Sequence, residues 1–69
     1  MTKLHGYLVD IKPLPLRDGE GWTTHFAIYL DLENSIDLIK KVEMGNIAVT
    51  REEAYRIGTI EVEREIRNL

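Results

Sequence analysis

The sequence predicts an α+β fold: a three-stranded antiparallel meander at about 4–16, 22–32 and 36–44, packed by one C-terminal helix at about 51–68. Three observations predict it. Trp22 to Leu32 alternates with a period of two, setting Trp22, Phe26, Ile28, Leu30 and Leu32 on one face, which marks a half-buried strand. Two further segments of that type flank it, separated by turn residues. Thr50 to Leu69 then follows a helical period behind a capping residue.

The elements follow in order. Tyr7, Val9 and Ile11 share one face of the first strand, and Pro13-Leu-Pro15-Leu16 continues it. Proline has no amide hydrogen for a ladder, so this stretch belongs on a sheet edge or at a bulge. A parity mismatch between Val9 and Ile11 on one side and Leu14, Leu16 and Trp22 on the other predicts a β-bulge near Pro13–Pro15. Arg17-Asp-Gly-Glu-Gly21 is a turn. In the second strand Trp22, Phe26, Ile28, Leu30 and Leu32 form the core face; Thr23, His25, Ala27, Tyr29 and Asp31 form the other. Glu33-Asn-Ser35 closes a hairpin, with Asn34 placed to take a left-handed conformation. In the third strand Ile36, Leu38, Val42 and Met44 align with the core face if Leu32 sits opposite Ile36. Lys40 then breaks that face, and either it reaches Glu61 or Glu65 or a bulge turns it outward.

Thr50-Arg-Glu-Glu53 is a capping box opening the helix. At about 100° per residue, Ala54, Tyr55, Gly58, Val62, Ile66 and Leu69 gather on one side. Gly58 weakens a helix interior by about 1 kcal/mol relative to alanine, so its place in that stripe points to a close approach between helix and sheet. Ile57 and Ile60 fall well away from the stripe, with Arg56, Arg64 and Glu53 nearby. An apolar pair with a charged rim reads as a surface that meets a partner, first of all another copy of the same chain.

Composition bounds the function. Sixty-nine residues make one domain, expected over 1–69, and chains of this size usually add disulfides, a metal or oligomerisation to their core. Cysteine is absent, which closes the first route and any thiolate zinc site. Self-association is the supplement left, so a homodimer is expected, with an unknown protein as a further partner. Net charge is −3 with no basic run longer than Lys40-Lys41, so nucleic acid, which is gripped by basic faces, is not the expected partner. Hydrophobic residues make up 43% of the chain in periodic segments, which argues against disorder. No apolar run is long enough to cross a bilayer and no signal-peptide pattern opens the chain, so no membrane association and a cytoplasmic location are expected.

Chemistry is sparse, and no enzyme, cofactor or metal is expected. Gly19-Glu-Gly21 lacks the lysine and the strand-to-helix context of a phosphate loop and reads as a hairpin turn. His5 and His25, with Asp10 or Asp31, have no metal-motif spacing and read as solvent-facing residues. Ser35 is the only serine and lies in a turn, so no nucleophilic triad assembles. Trp22 reads first as a lid on the core and second as an interface anchor. The candidate interface is therefore Ile57, Ile60, Arg64, Arg56 and Trp22.

Gly6-Tyr7, Pro13-Leu14-Pro15-Leu16, Asp18-Gly19, Gly21-Trp22 and Thr50 to Ala54 together give the chain a layout that resembles small bacterial proteins built as a three-stranded meander followed by one helix. The same β-β-β-α half resembles HicB antitoxins and the double-stranded-RNA-binding architecture. That resemblance implies, as the alternative function, an antitoxin-like or nucleic-acid-associated regulator. The chain departs from those families in having no additional N-terminal helix, no basic helix N-terminus and no appended DNA-binding segment.

Overall fold

The computed structural model describes residues 1–69. It has four strands, β1 (Thr2–Leu4), β2 (Tyr7–Pro15), β3 (Trp22–Leu32) and β4 (Ser35–Glu43), followed by helix α1 (Arg51–Arg67). The sheet is an antiparallel meander in the order β1-β2-β3-β4. The expected three-stranded sheet is thus corrected to four. The segment read as one strand from about residue 4 to 16 breaks at His5-Gly6, a two-residue loop in which both residues have positive φ, 50° and 85°. That pairing is the signature of a type I′ turn, whose twist matches the strands it joins. Thr2–Leu4 then folds back on β2 with Leu4 opposite Tyr7.

No bulge occurs at the prolines. β2 and β3 pair in unbroken register from Tyr7↔Leu30 to Pro15↔Trp22. β1 is so short that β2 is itself the sheet edge beyond Asp10, and the two prolines tolerate that position because their missing N–H groups are not needed there. The parity mismatch resolves differently: Leu14 lies opposite Thr23 and therefore on the face away from the helix.

The irregularity falls in β4 instead. Ile28 pairs with Lys40 but Tyr29 pairs with Leu38, leaving Ile39 as the extra residue. The bulge inverts the parity of everything before it. Val42 shares the helix-side face with Phe26, as expected, whereas Ile36 and Leu38 lie opposite Asp31 and Tyr29 on the free face. Lys40 stays on the helix side and pairs with Glu65, as its position anticipates. Asn34 does not take a left-handed conformation; His5 is the one non-glycine residue that does.

The helix packs on β2 and β3. Val9, Phe26, Ile28 and Val62 form the buried core, with Leu4, Tyr7, Ile11, Val42, Met44 and Ile66 partly buried around it. Helix and sheet come closest at Gly58, where a Cβ would lie 2.7 Å from Thr24 Cγ2 and 2.8 Å from Ile11 Cγ2. Beside it the fully buried Thr24 hydroxyl donates to the Ala54 carbonyl at 2.8 Å, tying β3 to the first turns of the helix. Tyr55 and Leu69 belong to the predicted inward stripe but are exposed. Both sit at its margins, Leu69 beyond the last helical turn.

The Thr50 side chain accepts from the Glu53 amide at 3.1 Å. Only this half of the capping box forms, because the Glu53 carboxylate turns to Arg56. Thr50→Ala removes the one side-chain acceptor at the helix N-terminus. A loss of about 1 kcal/mol is expected, read as a lower urea midpoint with an unchanged slope.

Candidate functional site

Three surfaces remain uncovered. The first is the outer wall of α1. Ile60 is 54% exposed and Tyr55 is 42% exposed, while Ile57 is half-buried. Ile57 shares a flank with Glu61 and Glu65, one and two helical turns further on. Glu65 reaches Lys40, so this flank looks towards β4. Arg56 pairs with Glu53, and Arg64 with Glu61 at 3.7 Å. The hydrogen bond from the Arg56 guanidinium holds the Glu53 carboxyl below the usual carboxylate range, with a smaller opposing push from desolvation. The same bond raises the Arg56 pKa. Both rim arginines are thus engaged within the helix, on pairs exposed enough to exchange for a partner's carboxylates at little cost.

Trp22 is half-buried at the start of β3. Its amide donates to the Ala48 carbonyl and its carbonyl accepts from the Ala48 amide, both at 2.8 Å. This bridge lays the segment after β4 against the beginning of β3 and buries Ala48. Ile47 and Val49 on either side are left 74% and 88% exposed.

The second surface is the sheet face opposite the helix. Register sets three rows across it: Leu8–Tyr29–Leu38, Asp10–Ala27–Lys41 and Lys12–His25–Glu43. Ala27 is small and buried, so the side chains around it enclose a shallow depression of about 240 Å³. Its charges alternate, and Lys12 pairs with Asp10 at 3.5 Å, so no one sign of ligand is favoured. His5 is not brought to His25. It sits in the turn beside Tyr7↔Leu30, five positions along β3 from His25, or roughly 17 Å at the rise of a strand.

The third surface is β4 itself. Among its nine residues Val42 alone is not exposed. Ile36 and Leu38 are 51% and 56% exposed, on the free face where the bulge puts them. Leu30 and Leu32 keep the parity of the core but are also exposed. The 17-residue helix spans about 26 Å, whereas the molecule is 41 Å long, and the β3–β4 hairpin overhangs its end. No family model, curated protein or solved structure matches the chain.

Sequence reasoning sets Ile57 and Ile60 together on the outer wall, where Ile60 is exposed and Ile57 half-buried, and it misses Thr24 and the exposure of β4. Thr24 is signalled only by a hydroxyl at an inward position of the best strand. The exposure of β4 is signalled only by Lys40 interrupting its apolar face, which leaves open where the extra residue falls.

Proposed function

We propose that this chain is a non-enzymatic protein–protein interaction module that self-associates as a homodimer, with the outer wall of its helix as a second surface for a protein partner. One observation carries the reading: the large apolar side chains left exposed outnumber those in the core. Scattered exposed apolar residues are ordinary. Here they run along β4, the segment after it and the outside of the helix, in a chain with little core to spare. Fully burying one such isoleucine on association is worth about 1.5–3 kcal/mol, so a micromolar dimer, which must also offset the entropic cost of association, needs several of them covered on each copy.

The alternative, an antitoxin-like or nucleic-acid-associated regulator, has the sheet-plus-helix layout in its favour. Against it stand the net charge of −3 and a helix whose four arginines are matched by five glutamates, which give phosphates little to hold. Self-association therefore ranks first. Sedimentation of the wild-type chain from 1 µM to 500 µM is expected to show a monomer–dimer equilibrium. A chain that remains monomeric at the top of that range overturns the reading. Retention on a nucleic-acid column that falls steeply with salt would favour the alternative.

A further inference from the structure

We infer that the dimer seam is the outer edge of β4, pairing antiparallel with β4 of a second copy about a twofold axis through Val42. This rests on the self-association proposed above and adds the surface and the register.

The two edges of the sheet are treated differently. On the β1 side the edge is a three-residue strand followed by the stretch of β2 that holds Pro13 and Pro15. Short edge strands and prolines block pairing with another chain. The β4 edge has nine residues and no proline. Its bulge at Ile39 interrupts pairing locally, which leaves Lys40 to Met44 as the regular, open stretch.

Backbone alternation decides which groups that stretch offers. The Met44 amide donates inward to the Thr24 carbonyl at 2.9 Å. Alternate residues of a strand point their main-chain groups to opposite sides, so those of Lys41 and Glu43 face outward, unpaired. A second copy can bond to them only in registers that set outward residues against outward residues. Three are close by. One places Lys41 against Lys41, another places Glu43 against Glu43, and like charges directly opposite destabilise a pair. The register centred on Val42 places Lys41 against Glu43 of the second copy, and by symmetry repeats that pair on the other side of the axis. Each pair then lies on one face, because Lys41 and Glu43 both project from the free side of the sheet, opposite Ala27 and His25. Neither residue has an ion-pair partner within its own chain. Val42 meets its own copy at the axis. Lys40 falls opposite Met44 rather than another lysine and keeps its bond to Glu65.

The same register carries the distal half of β4, with Ile36 and Leu38, alongside the segment of the second copy that holds Ile47 and Val49. These are among the most exposed apolar residues of the chain, and the seam gives them a common place to be covered. The result doubles the four-stranded sheet with both helices on one face. Their axes, each over β2 and β3, are then about four strand spacings or 19 Å apart. Helices in contact are separated by 8–10 Å, so the helices do not touch and Ile57 and Ile60 stay outside the seam.

The test is a charge swap read by sedimentation. Lys41→Glu and Glu43→Lys are each expected to weaken the dimer about ten- to a hundredfold, since each makes both symmetric pairs like-charged. An equimolar mixture of the two variants is expected to recover a dimer. In the mixed pair the introduced acid of one chain meets the introduced lysine of the other, and native Glu43 meets native Lys41. Misfolding cannot produce that recovery. Ile57→Asp with Ile60→Asp is expected to leave the dimer intact. A wild-type dimer that neither single variant weakens, or that the helix variant abolishes, overturns the β4 seam and leaves self-association standing. A wild-type monomer at 500 µM overturns both.

Discussion

Gly58→Leu is expected to leave the chain unfolded at room temperature, and Gly58→Ala to lower its stability by on the order of 1–2 kcal/mol. The two substitutions separate opposing effects. Alanine in a helix interior is favoured over glycine by about 1 kcal/mol, which would make the exchange stabilising on an open surface. Here the added Cβ would stand 2.7 Å from one methyl and 2.8 Å from another. Those methyls belong to Thr24 and Ile11, branched residues on adjacent strands, not to the swinging end of a long side chain. The Thr24 hydroxyl is also committed to the Ala54 carbonyl, so Thr24 cannot rotate away without breaking a buried bond. Relief therefore requires the helix to lift from the sheet, and overpacking of this kind costs about 1–3 kcal/mol for small insertions. Leucine adds three further carbons at the same point. Urea titrations of the two variants measure the effect. An alanine variant more stable than wild type would mean that the helix rides higher above β3 than the structure places it.

Much of this close approach was legible in the sequence. Gly58 in the middle of an inward stripe implies a neighbour too near for a side chain, and Thr24 and Ile11 are that neighbour. β3 was legible because eleven residues of alternation leave a helix no consistent face. The helix was legible from Thr50 and its period, although the reach of Glu53 towards Arg56 was not, since two acceptable partners lay within one turn. What escaped has a common cause. β1 has three residues, too few to display a period, and His5-Gly6 is not a usual pair for its turn. The prolines gave a true constraint, an absent N–H, that two structures satisfy: a bulge or an edge. With Leu14 free to face the other way, the edge needs no distortion. In β4 the run Ile36, Leu38, Ile39, Val42 offers an apolar residue on either parity, so alternation alone cannot locate the bulge. On the helix, Ile60 was readable as outward because one element determines it, whereas Ile57 beside it is half-buried and Tyr55, read as inward, is exposed. The β4 edge requires knowing which strand ends the sheet, which side the bulge inverts and which main-chain groups point outward, and all three are properties of the assembled sheet.

Phe26→Ala is expected to remove about 3–5 kcal/mol, a large share of the roughly 3.5–10 kcal/mol that a 69-residue chain commands at about 0.05–0.15 kcal/mol per residue. Phe26 is 2% exposed and shares the core with Val9, Ile28 and Val62. Half-buried Val42 and Met44 also pack on that cluster, and both lie beside the proposed seam. A core this small cannot collapse around the vacated ring, because its other large residues already bridge helix and sheet. The consequence reaches assembly. If folding and dimerisation are coupled, the melting midpoint must rise with protein concentration, since mass action favours the associated native state. The rise should be easiest to see in Phe26→Ala, whose isolated fold is nearly balanced against the unfolded chain. It should vanish when Lys41→Glu is added, although Lys41 is exposed and touches nothing in that core. Melting curves of both variants at 5 µM and 200 µM decide the matter. A midpoint independent of concentration in Phe26→Ala would show that the fold stands on its core alone.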